Sequence, residues 1–139
     1  MRFNECDIYQ EAGGDYVAVI REEGGTGNAV YTSTSTDLIT WAVPILSTTF
    51  SGRQPNCIKS TNGDILVSFG DRDGTSGRTG AGDVGDDLNV TGITTYRSED
   101  DGASWNSVQI DAISSTDGGQ PMAVETRTDV IGMFYYGAI

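Results

Sequence analysis

Short apolar runs separated by polar, glycine-bearing breaks set the pattern of this chain. Tyr16-Val-Ala-Val-Ile-Arg21, Ile65-Leu-Val-Ser-Phe69 and Val130-Ile-Gly-Met-Phe-Tyr-Tyr136 are rich in β-branched and aromatic residues. Each follows a polar turn: Gly13-Gly-Asp15, Asn62-Gly-Asp64 and Thr126-Arg-Thr-Asp129. No stretch repeats apolar residues at helical spacing over three turns, so the pattern predicts strands throughout. A shorter strand precedes each turn, and every such pair reads as a hairpin. The three leading segments are Arg2-Phe-Asn-Glu-Cys6-Asp-Ile-Tyr9, Arg53-Gln-Pro-Asn-Cys57-Ile-Lys59 and Gly119-Gln-Pro-Met-Ala-Val124.

The first two hairpins continue in parallel fashion. Ala29–Thr32 is a third strand, Ser35-Thr-Asp-Leu-Ile-Thr-Trp41 a compact turn, and Val43–Ser47 a fourth strand. In the second unit these are Gly92–Arg97, Ser98-Glu-Asp-Asp-Gly-Ala-Ser-Trp105 and Ser107–Asp111. Four antiparallel strands make up one blade of a β-propeller. The chain therefore divides into a unit at 1–51, a second at 52–117 and the first half of a third at 118–139. Internal repetition of this kind governs the fold expected. Aligned on the repeat, Cys6 and Cys57 occupy the same place in neighbouring units. Two buried thiols are expected there, because equivalent strands of neighbouring blades stand too far apart for a disulfide.

Composition narrows the function. The 139 residues carry a net charge of −12 and no histidine. Such a surface repels phosphate backbones and anionic membranes, which argues against nucleic-acid partners. No apolar run is long enough to span a bilayer, and Met1–Gln10 has no apolar core of a signal peptide. Without histidine or a C-x-x-C pair, no zinc site is expected. Asp71-x-Asp73-Gly74 and Asp100-Asp101-Gly102 do not fit the twelve-residue calcium loop, and the glycines from Gly74 to Gly85 lack a following Lys-Ser/Thr. No metal and no cofactor is expected. The second unit carries an insertion, Asp71 to Asp87, of the kind that places function on a rigid scaffold.

The turns carry the most specific signal. Ser98-x-Asp100-x-Gly102-x-Ser104-Trp105 resembles the Asp-box of the sialidase (neuraminidase, BNR-repeat) superfamily, with Ser in place of the usual Thr. Ser35-x-Asp37-Leu-Ile-Thr-Trp41 resembles a shortened form of the same turn. Ser and Asp side chains can bond the turn backbone, Gly supplies the unusual φ, and Trp packs a large ring. The order Arg53-Gln-Pro55, a turn and strand ending at Arg72, an acidic loop, then Arg97-Ser98 and the Asp-box is similar to that of sialidases. The resemblance implies an all-β fragment of a sialidase-like propeller built from four-stranded antiparallel blades.

It also implies that Arg53 and Arg72 grip a sugar carboxylate, since a guanidinium fork matches that group. Asp83 becomes the candidate acid/base, with Asp73, Asp86 and Asp87 behind it. The Asp-box residues become structural, and Tyr135 and Tyr136 are expected in core and inter-blade packing. The full sialidase set also needs a tyrosine, its activating glutamate and a third arginine. The implied function is a glycan-recognising fragment of a glycoside hydrolase, inactive alone, with an extracellular or cell-surface location. The alternative is a non-catalytic carbohydrate-binding or structural module of phage-tail or adhesion type. The partner is a glycan, sialic-acid-containing or otherwise, and exposed strand edges imply a homo-oligomer.

Overall fold

The computed structural model describes residues 2–23, 29–71, 91–113, 118–128 and 130–137. Strands β1 (Arg2–Gln10), β2 (Tyr16–Glu23), β3 (Ala29–Ser35) and β4 (Ile45–Ser51) form one four-stranded sheet in chain order. Strands β5 (Arg53–Lys59), β6 (Ile65–Asp71), β7 (Thr91–Ser98) and β8 (Asn106–Ile113) form a second, and β9 (Gly118–Arg127) pairs with β10 (Val130–Gly137). Every pairing is antiparallel, and no helix occurs among the described residues. The chain is all-β. Strand β4 begins at Ile45 rather than at the expected Val43, because Pro44 has no N–H to give a ladder. The Ala42 N–H instead closes the turn onto the Thr34 carbonyl at 2.9 Å.

The β1–β2 and β5–β6 turns are the same turn. Glu11 N–H donates to Asp15 O at 2.9 Å and Gly14 N–H to Glu11 O at 3.0 Å. Ser60 N–H donates to Asp64 O at 2.8 Å and Gly63 N–H to Ser60 O at 3.0 Å. Gly14 and Gly63 adopt φ of 97° and 99°, where a Cβ is poorly tolerated. Matching these turns makes Glu5 the counterpart of Gln54, Asp7 of Asn56, and Ile8 of Cys57. The two cysteines are therefore not equivalent, as the sequence alignment had placed them. Cys6 corresponds to Pro55 and is exposed, whereas Cys57 is partly buried against the core; both thiols are free.

That core lies between the two four-stranded sheets. Tyr9, Val17, Val19, Val30 and Phe50 meet Ile65, Val67, Phe69 and Tyr96, all nearly excluded from solvent. Phe50 sits at the centre, with ring centroids 5.2 Å from Tyr96, 4.8 Å from Trp105 and 5.9 Å from Phe69. The Tyr96 and Trp105 contacts are edge-on, which suits the aromatic quadrupole, and the Phe69 contact is tilted; together they bury large apolar areas. Between the sheets the chain passes through Gly52, whose φ is 137°. A methyl group there would press on the Phe69 side chain, 2.9 Å from its Cγ.

First strands stand side by side, β1 against β5 and β5 against β9. As edge strands they present unpaired N–H groups, which need acceptors when covered. Side chains of the preceding unit supply them. Glu5 Oε2 accepts from Gln54 N–H at 2.8 Å, and Gln54 Oε1 accepts from Gln120 N–H at 2.9 Å. Asp7 Oδ2 accepts from Cys57 N–H at 2.7 Å, and Asn56 Oδ1 from Ala123 N–H at 2.6 Å. Gln54 and Gln120 share positive φ, 54° and 49°, so the same backbone kink precedes Pro55 and Pro121. The docking of sheet two on sheet one thus recurs where the third hairpin docks on sheet two.

Candidate functional site

Two ends of these sheets concentrate polar chemistry. At one end stand the start of β5 and the end of β6, from which residues 72–90 lead to β7. Arg53 pairs with Gly70 across the ladder there and is half-buried. Arg72, Asp83, Asp73, Asp86 and Asp87 lie outside the described residues.

Beside Arg53 is an ion pair that the sequence reading missed. Arg21 Nη1 donates to both oxygens of Glu5 at 3.0 Å, and the same carboxylate takes the Gln54 N–H. Glu5 therefore ties an arginine of sheet one to the residue following Arg53. Arg21 keeps only 16% of its side chain exposed, and its Nε has no hydrogen-bond partner among the described residues. The signal was present in the sequence. Counting both ways from the Gly13-Gly14 turn puts residue 21 opposite residue 5, as the register shows. By strand pattern alone Arg21 is only the end of a strand.

At the other end are the two tryptophan-bearing turns. Ser98 Oγ accepts the Gly102 N–H at 2.8 Å and donates to Asp100 Oδ1 at 2.8 Å. Asp100 Oδ1 accepts the Ser104 N–H at 2.8 Å, and the Trp105 indole donates to Gly102 O at 3.0 Å. The shorter turn repeats this scheme. Ser35 Oγ accepts the Leu38 N–H at 2.9 Å, Asp37 Oδ1 accepts the Ile39 and Thr40 N–H groups at 2.8 and 2.7 Å, and Trp41 donates to Leu38 O at 3.3 Å. Hydrogen bonds from Ser104 and Ser98 hold the Asp100 carboxyl below the usual range, and the Thr40 and Ile39 N–H groups do the same for Asp37. Their oxygens are engaged within the turn, which suits them to structure rather than proton transfer.

Leu38 and Asp101 hold the same position in the two turns and share a positive φ, 62° and 59°. Asp101 reaches across to sheet one, taking the Ala12 N–H at 2.7 and 2.9 Å and the Lys59 ammonium at 2.9 Å. Lys59 also donates to Gln10 O at 3.0 Å. The Lys59 and Ala12 bonds hold the Asp101 carboxyl below its ordinary range. Nearby Glu11 is pushed the other way, by burial and then by the Asp101 and Asp15 charges. Thr61, the counterpart of Ala12, gives its N–H and its hydroxyl to Glu125 at 2.8 Å each. This end fastens unit to unit.

Tyr135 and Tyr136, expected in core and inter-blade packing, are 40% and 38% exposed, so neither is a core residue. Among the described residues, no group of three His, Cys, Asp or Glu side chains gathers to hold a metal ion. No protein-family model and no curated protein matches the chain. The tryptophan end thus has the chemistry of a fastener, and the other end holds Arg21 bound to Glu5 with Arg53 half-buried beside it.

Proposed function

We propose that the chain is part of a sialidase-type β-propeller whose arginine-bearing end recognises an acidic glycan. The observation that supports this most is the repetition of one docking scheme from β1 to β5 to β9, which builds adjacent units around their first strands. The Ser-x-Asp turns closed by Trp41 and Trp105 agree with the same lineage. Arg53 stands at the loop-bearing end of β5, where active surfaces are built on rigid sheets. With Arg72 and the acidic segment bearing Asp83, it forms the proposed carboxylate-binding set, Asp83 being the proposed acid/base.

The competing reading, a non-catalytic carbohydrate-binding or structural module, draws on one feature. Arg21, a second arginine placed at this end, is already neutralised by Glu5, so it holds the structure together rather than awaiting a substrate. Both readings expect no turnover by the chain alone. Calorimetric titration with sialyllactose tests the proposal, with Arg53→Ala as the variant. Binding by the parent and a tenfold or greater loss in the variant are expected. Equal affinity of the two, or no binding to either, would overturn it. Release of fluorophore from a fluorogenic sialoside above the buffer blank would refute inactivity.

A further inference from the structure

The two outermost sheet faces are counterparts of the two faces already packed together inside the chain. On the outer side of sheet one, the register lines up Cys6, Ile20, Tyr31 and Leu46, with Ile8 and Ala18 alongside. Ile8 and Leu46 are 39% and 58% exposed. The equivalents of Ile8, Ala18 and Ile20 by the turn match, Cys57, Val67 and Phe69, form the face of sheet two that is buried on sheet one. At the far end, β9 and β10 present Met122, Val124 and Phe134 at 63%, 41% and 62% exposure. Met122 and Phe134 are directly paired and so share one side. Met122 is the counterpart of Asn56 and Asp7, whose side chains face the following unit.

The hydrogen-bond accounts of these two faces also match. Inside the chain, the N–H of Cys57 or Ala123 needs an acceptor from the unit before it. The equivalent N–H of Ile8 is satisfied by its own Asp7 Oδ1 at 2.9 Å. At the other face, Met122 replaces the acceptor with a thioether. At this position one face asks for no acceptor and the other offers none, while Gln120, the counterpart of Gln54, keeps the side-chain oxygen that Gln54 gives to the unit after it. Leu38 likewise stands where Asp101 makes its polar fastening, so that contact is apolar too. Exposed apolar patches of this kind mark association surfaces.

We propose that a second copy of this chain docks its sheet-one face on the Met122–Val124–Phe134 face, head to tail, continuing the internal packing between copies. The interface is heterologous: each copy uses a different surface, so association extends or closes by rotation. It is face packing rather than pairing of strand edges. Because both copies are strongly acidic, salt strengthens it by screening.

Sedimentation velocity on the parent, Phe134→Asp and Leu46→Asp tests this. Both substitutions fall on exposed side chains, and far-UV circular dichroism checks that the sheets persist. The parent is expected to assemble with rising concentration and each variant alone to remain monomeric. An equimolar mixture of the two should form a species of twice the monomer mass, since one intact face of each kind remains. Cys6 alkylation in the parent should slow at least fivefold on assembly. A monomeric parent would overturn the proposal, as would variants that associate like the parent, which would indicate edge pairing. A mixture that stays monomeric would overturn the head-to-tail arrangement. Should Phe134→Asp unfold, Met122→Glu tests the same face.

Discussion

Replacing Gly52 by alanine should loosen the packing between the two four-stranded sheets. The residue joins them at a φ of 137°, and its missing Cβ lets the backbone lie against the Phe69 side chain. Two costs follow. A positive φ disfavours an L side chain by roughly 1–2 kcal/mol, and forcing a methyl into packed core costs about 1–3 kcal/mol more. Phe69 cannot move aside cheaply, being 1% exposed and held by Phe50 and Tyr96. A loss of about 2–5 kcal/mol is large against the roughly 5–15 kcal/mol that holds a typical domain together. Gly63→Ala is the control, since its φ of 99° carries the backbone cost but no atom lies within 4 Å of the added methyl. It should lose only about 1–2 kcal/mol. Urea unfolding followed by tryptophan emission measures both, because Trp105 rests on Phe50 at the same interface. With a urea slope of about 1.5 kcal/mol per molar, Gly52→Ala should lower the midpoint by roughly 1–3 M. Equal midpoints for the two variants would refute the close approach at Phe69.

Other consequences are equally direct. Phe50→Ala should cost about 3–5 kcal/mol, because it removes the ring that joins Phe69, Tyr96 and Trp105; a loss below about 1 kcal/mol in urea unfolding would contradict that central position. Asp37, Asp100 and Asp101 have folded pKa values below their unfolded ones, so their contribution is present above the unfolded value, near 4, and is lost as pH falls through the folded values. Glu11, raised by burial and its acidic neighbours, acts oppositely, gaining stability as pH falls through its own range. Thermal melts should therefore stay level or rise slightly on mild acidification and then drop below about pH 4, with Glu11→Gln abolishing the slight rise; a steady decline from neutrality would be inconsistent. Burial and the Asp7 charge push the Cys57 thiol well up, while Cys6 is exposed. In dilute protein, iodoacetamide should modify Cys6 at least tenfold faster than Cys57 by peptide mapping, and equal rates would show that β5 is not covered by sheet one.

Much of the fold was open to reading because turn chemistry is local. Glycine beside aspartate fixed where hairpins fold back, and the Ser-x-Asp pattern ahead of Trp marked both longer turns. The unit alignment was less accessible. Matching the two cysteines is the obvious choice by identity, yet the turns at Gly14 and Gly63 set the true correspondence, pairing Cys57 with Ile8. The fastening between units was hidden for another reason. Glu5 and Gln54 do one job, as do Asp7 and Asn56, because any side-chain oxygen at the right reach satisfies an edge N–H. Identity is not what that geometry selects. Likewise, Tyr135 and Tyr136 look like core residues by composition, but each keeps more than a third of its surface exposed. Of the arginine end, Arg53 could be placed, and Arg21 could have been found from hairpin register alone.

Amide exchange by NMR at Gln54, Cys57, Gln120 and Ala123 bears most directly on a shared docking scheme between successive units. All four N–H groups should be protected, and Asn56→Ala should release Ala123 at least tenfold while leaving Cys57 slow. Free exchange at these edge amides in the parent, or an Ala123 rate indifferent to Asn56, would mean that side chains of one unit do not cap the first strand of the next.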